Sequence, residues 1–174
     1  MRFLHGTPLI VLVGLAVLAV LAAPARALQP GKAEGELSLN GKAVKLIHAY
    51  AVPGQKNTLT DTDDDVMVVL TDKPLPPDAR PTAKPSEFGY SFAPGVQGIV
   101  LCIDRSREPS HLVVHHADGM YFRGYFKGSE NKFKSKRLDK KGIEGTAYIS
   151  EPYKTSKGFS YLYNVTFAAD FPAK

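Results

Sequence analysis

The chain has 174 residues, 44% of them hydrophobic and 22% charged, with a formal net charge of +5. These figures exclude a disordered polyelectrolyte, a collagen-like repeat and a multi-domain assembly. A single cysteine excludes an intramolecular disulfide framework, and also a four-cysteine zinc site within a monomer.

Residues 1–27 read as a cleaved export signal. Arg2 supplies a positive start, and residues 9–23 form an apolar run broken only by Gly14. Pro24-Ala25-Arg26-Ala27 then sets small residues where a signal peptidase reads, with cleavage before Leu28. As a helix the apolar run reaches about 22 Å, short of the ~30 Å hydrocarbon core, so cleavage is favoured over anchoring and no membrane span remains. The mature residues 28–174 form one β-rich domain, secreted or periplasmic. Loss of Arg2 and Arg26 leaves 20 basic against 17 acidic residues. Residues 127–141 alone carry a local +5, so the basic character belongs to one segment.

Along the mature chain the apolar pattern has period two almost everywhere. Residues 36–39 and 42–52 flank Asn40-Gly41, the strongest short signal for a hairpin. A two-residue loop there sets Leu39 against Lys42, Leu37 against Val44 and Gly35 against Leu46. Residues 66–70 and 99–103 are continuous apolar runs, which suit strands covered on both faces. Cys102 lies in the second run and is expected to be buried, with its thiol inert. Residues 112–117 and 120–125 flank Asp118-Gly119, a second hairpin that sets Ala117 against Met120 and His115 against Phe122. Ile143, Ala147 and Ile149 alternate with Glu144, Thr146 and Tyr148. Tyr161, Tyr163, Val165 and Phe167 share one face of a last strand. No convincing helical window and no βαβ spacing occur, so the expected fold is all-β, a single-domain antiparallel sandwich or barrel of about eight or nine strands.

Residues 73–95 interrupt this pattern with Pro74, Pro76, Pro77, Pro81, Pro85 and Pro94. Proline lacks the N–H a central strand needs, so this is a long loop or edge crossover. Phe88, Tyr90 and Phe92 alternate within it, either capping the β core or lining a ligand site.

Three groups of strings resemble an uncharacterised family of exported bacterial β-rich proteins: Asn40-Gly41-Lys42 with Leu46-Ile47-His48-Ala49-Tyr50-Ala51, residues 68–76 from Val68 to Pro76, and Glu144-Gly145-Thr146. The resemblance implies export and a β fold. It carries no activity or ligand.

Chemical signals are sparse. His48 falls on the face of Val44, Leu46, Tyr50 and Val52 and is expected to point inward. His115 shares a face with Val113. His111 and His115 are four residues apart, about 13 Å along a strand, too far to share an ion. Asp61, Asp63 and Asp65 have calcium-loop spacing, but Val66 stands where the loop needs glycine, and no helices flank it. Gly89-Tyr90-Ser91-Phe92-Ala93 only approaches a nucleophile elbow. Neither a metal nor a cofactor is called for.

The favoured reading is a non-catalytic binding or structural module of the cell envelope or extracellular space. Its contact surface is the proline-rich loop or a basic strand bearing Lys132, Lys134, Lys136 and Arg137. In that strand the three lysines share one face opposite Phe133 and Ser135. Their partner is an anionic envelope polymer or another envelope protein, unless they only guard a sheet edge. Nucleic acid fits poorly, because the chain is exported and the segment interleaves one aromatic. The alternatives are a hydrolase or isomerase with a pocket around His48, Tyr50 and His115, or a small-ligand carrier.

Overall fold

The computed structural model describes residues 27–53, 66–82, 92–104, 106–123, 130–156 and 158–173. Residues 1–26 of the segment read as an export signal, the aspartate run 61–65, and Phe88 and Tyr90 lie outside them. Among the described residues the strands in chain order are β1 (Lys32–Leu39), β2 (Lys42–Val52), β3 (Val66–Thr71), β4 (Gly98–Ile103), β5 (Pro109–His116), β6 (Gly119–Arg123), β7 (Asn131–Leu138), β8 (Gly142–Ile149), β9 (Tyr153–Lys154) and β10 (Ser160–Asp170). A single 3₁₀ turn at Pro77–Ala79 is the only other regular element among them. The two-residue β9 accounts for the tenth strand.

All neighbours pair antiparallel, in the order β6-β5-β4-β3-β2-β1-β10-β8-β7, with β9 added beside β10. The described residues therefore form one all-β sheet, curled into a half-barrel. Tyr121 on β6 lies 5.3 Å from Tyr161 on β10, which shows how far the sheet turns back on itself. Leu37, Leu46, Leu70, Ile99, Leu101, Tyr161, Tyr163 and Phe167 fill the inside of the curl and are buried. Each such side chain contributes roughly 1.5–3 kcal/mol through removal from water.

The continuous apolar runs are explained by a second, smaller cluster on the outer face. Val68, Leu70, Ile99 and Leu101 point into the curl, while Met67, Val69 and Val100 point outward. The outward set is covered by Leu75, Val96 and Phe92 from the two ends of the proline-rich segment. Asp72 and Gln97 clasp those ends, with the Gln97 N–H donating to Asp72 Oδ1 at 2.8 Å.

The Asn40-Gly41 turn has φ values of +52° and +81°, and the β1–β2 pairing places Leu39, Leu37 and Gly35 against the expected partners. Beyond Gly35 the register changes by one residue, from Gly35–Leu46 to Lys32–His48. An offset of one residue exchanges the faces of a strand. The inner face of β2 accordingly passes from Leu46 to Ala49 and Ala51, and Tyr50 and Val52 join the outer cluster. Gly35 permits the close approach, since a Cβ there would sit 2.1 Å from the Asn164 carbonyl oxygen.

The second hairpin also differs from its expected pairing. Its loop residues are Ala117 and Asp118, with His116 opposite Gly119 and His115 opposite Met120. Contacts from outside the hairpin hold the loop there. The Ala117 N–H donates to Gln97 Oε1 at 2.7 Å, and the Asp118 carboxylate meets Lys42 Nζ at 2.9 Å. The slide is two residues along the partner, so the faces are preserved.

Candidate binding site at the open seam

His48, Tyr50, His115 and Phe92 all belong to the outer face. Because of the register change His48 does not point inward with Leu46, which corrects the sequence expectation. His48 pairs with Thr71, Thr71 with Gly98, and Gly98 with His115. The two histidines thus share one row but stand three strand spacings apart, about 14 Å. His48 is half-buried, and burial followed by the nearby Lys32 charge lowers its pKa, against a smaller opposing pull from Asp72.

The other three side chains hold the proline-rich segment. The Leu75 N–H donates to the Tyr50 hydroxyl at 2.9 Å, and the Arg80 guanidinium lies 5.9 Å above the Tyr50 ring. His115 Nδ1 lies 2.6 Å from the Val96 carbonyl oxygen. A carbonyl only accepts, so Nδ1 carries the proton. Phe92 stacks on the same imidazole, with ring centroids 5.0 Å apart. These groups act as a clasp between strap and sheet.

Cys102 is half-buried on this outer face, not buried as its apolar run implies. The reason is topological. It pairs with His111 and Met67, and it belongs to the outward-pointing set of β4.

The basic strand becomes β7, the last strand of the sheet. Lys132, Lys134 and Lys136 are exposed on one face, while Phe133 and Ser135 are half-buried on the other. Phe133 stacks on Phe167 at 5.8 Å. At the head of the strand the buried Asn131 accepts a 2.8 Å hydrogen bond from the Tyr163 hydroxyl, which anchors β7 to β10. The four cations differ in their surroundings. Lys136 pairs with Glu144, and Arg137 is bonded to Asp170 at 2.8 Å, which raises its already high pKa. Lys134 Nζ sits 5.2 Å above the Tyr148 ring, and among the described residues no carboxylate pairs with Lys132.

Lys132 also lines an open cleft of about 390 Å³ beside β7. One wall is the β4–β5 turn, with Arg107, Glu108 and Pro109, and the other is Asn131, Phe133 and Tyr148. Asp104 shapes the turn, because its carboxylate accepts the Glu108 N–H at 2.8 Å and its carbonyl accepts the Arg107 N–H at 2.9 Å. Arg107 is held at φ +63°, a conformation that costs a side-chain-bearing residue about 1–2 kcal/mol. Ser135 also borders the cleft, and its hydroxyl is buried with no hydrogen-bond partner among the described residues. A left-handed arginine and an unsatisfied hydroxyl at one cleft are local costs that the fold tolerates there.

Sequence reasoning found Lys132 but missed Arg107 and Tyr148. Tyr148 was legible as the one aromatic in an outward-facing row with Glu144 and Thr146. Arg107 carried no sequence signal, because its place opposite β7 follows from the curl. Comparison with family models, with curated proteins and with solved structures finds no match for this chain.

Proposed function

We propose that the protein is an exported, non-catalytic binding module that docks an anionic polymer along β7. One observation carries the reading: Lys132 and Lys134 stand exposed on the terminal strand, and Lys132 lines a cleft that adds Arg107. Across the same outer face, β1 carries Glu34 and Glu36, with Lys45 of β2 opposite Glu36. Clustered charge of this kind raises the local potential and attracts polyanions from a distance. Export is part of the proposal and rests on Arg2, the apolar run and the Ala25/Ala27 cleavage pattern.

The test is binding of polygalacturonate to the mature chain at increasing salt. The screening length falls from about 30 Å at 0.01 M to about 3 Å at 1 M, so the affinity is expected to drop steeply. The double exchange Lys132→Gln with Lys134→Gln is expected to abolish binding at unchanged circular dichroism. Binding that survives both high salt and the double exchange overturns the proposal.

A further inference from the structure

We infer that the seam cleft receives one acidic sugar unit, its carboxylate met by Arg107 and Lys132 and its ring resting against Tyr148. The inference deepens the polyanion reading and rests on it. The lysines of β7 gather the polymer, and the cleft selects what it is made of.

The composition of the cleft separates this ligand from a bare anion. Two cations, Arg107 and Lys132, supply the charge that a carboxylate or a phosphate needs. Glu108 shares the same wall; its carboxylate repels any anion, but it accepts hydrogen bonds from sugar hydroxyls, which offsets that repulsion for a sugar acid. Tyr148 adds an aromatic surface, which packs against the C–H face of a ring and does nothing for a small inorganic ion. The volume of about 390 Å³ lies near the small end of ligand sites, fitting a short ligand segment rather than a long chain. Lys134 Nζ lies 5.2 Å from the Tyr148 ring centroid, which connects the cleft to the exposed row of lysines. The Asp104-secured turn fixes the backbone from which the Arg107 side chain extends toward the cleft.

The experiment is saturation-transfer NMR on the mature chain with D-galacturonate, alongside D-galactose and inorganic phosphate. Galacturonate is expected to bind saturably, galactose to bind at least about tenfold more weakly, and phosphate to compete poorly. Arg107→Gln and Tyr148→Ala are each expected to weaken galacturonate by about tenfold, the size of one lost charge-assisted contact. Tyr148→Phe is expected to retain it. If Tyr148→Ala fails to fold by circular dichroism, Arg107→Gln, on an exposed turn, carries the test. Equal binding of galactose, full displacement by equimolar phosphate, or indifference to Arg107→Gln overturns the inference. Polygalacturonate binding through Lys132 and Lys134 without galacturonate binding overturns the cleft and leaves the polymer reading standing. Failure of both ligands overturns both.

Discussion

The hydroxyl of Tyr163 donates to Asn131 Oδ1 at 2.8 Å inside the curled sheet, joining β10 to the first residue of the lysine-bearing β7. Both residues are buried, so neither oxygen has bulk water as an alternative. Tyr163→Phe leaves Asn131 without this donor and is expected to cost about 1–3 kcal/mol. Urea unfolding checks it, and hydrogen exchange is expected to rise first at the start of β7.

The stability of the protein should respond to His48. Its folded pKa lies below the ordinary histidine value of about 6.5, chiefly through burial and then the Lys32 charge. The unfolded chain therefore binds more protons, and stability falls as pH drops from about 7 through the region between the two pKa values. Below the folded value the contribution flattens. His48→Gln is expected to reduce the slope of Tm against pH over that window, measured by calorimetry. An unchanged slope would show that His48 titrates alike in both states.

On the proposed polyanion reading, releasing Lys136 should strengthen binding. Glu144 neutralises it from the paired strand β8. Glu144→Gln is expected to raise polygalacturonate affinity several-fold at low salt, with the gain vanishing at high salt. A gain that persists in high salt would point to a contact other than charge.

The clasp over the outer face should be a separable source of stability. Leu75 is 2% exposed and covers Val69 and Val100 together with Val96. Leu75→Ala is expected to cost about 2–5 kcal/mol, whereas Tyr50→Phe, which removes the acceptor of the Leu75 N–H, costs about 1–3 kcal/mol. Denaturant titration of both variants distinguishes packing from hydrogen bonding. A cost below 1 kcal/mol for Leu75→Ala would mean that the strap merely lies on the sheet.

Cys102 should react with thiol reagents in the native state. It is half-buried on the outer face, so labelling is expected without global unfolding. A labelling rate that tracks the unfolding rate across mild denaturant would show that the thiol is closed off in the folded protein.

Local chemistry determined much of this molecule. Period-two patterning declared the all-β class, and Asn40-Gly41 declared its hairpin and register, because a turn with two positive φ values tolerates few other residues. The two-sided apolar runs at β3 and β4 announced that both faces would be covered, and the spacing of Lys132, Lys134 and Lys136 placed them on one face. Tertiary structure alone decided the rest. The register change beside Gly35 turned His48 outward, and Gln97 and Lys42 reset the second hairpin from a distance. Curling of the sheet brought the turn carrying Arg107 against β7, 24 or more residues further along the chain. Periodicity reports which face a residue occupies relative to its neighbours in sequence. Register offsets and the curl of a sheet arise from contacts between strands distant in sequence, and it is these that assembled the cleft.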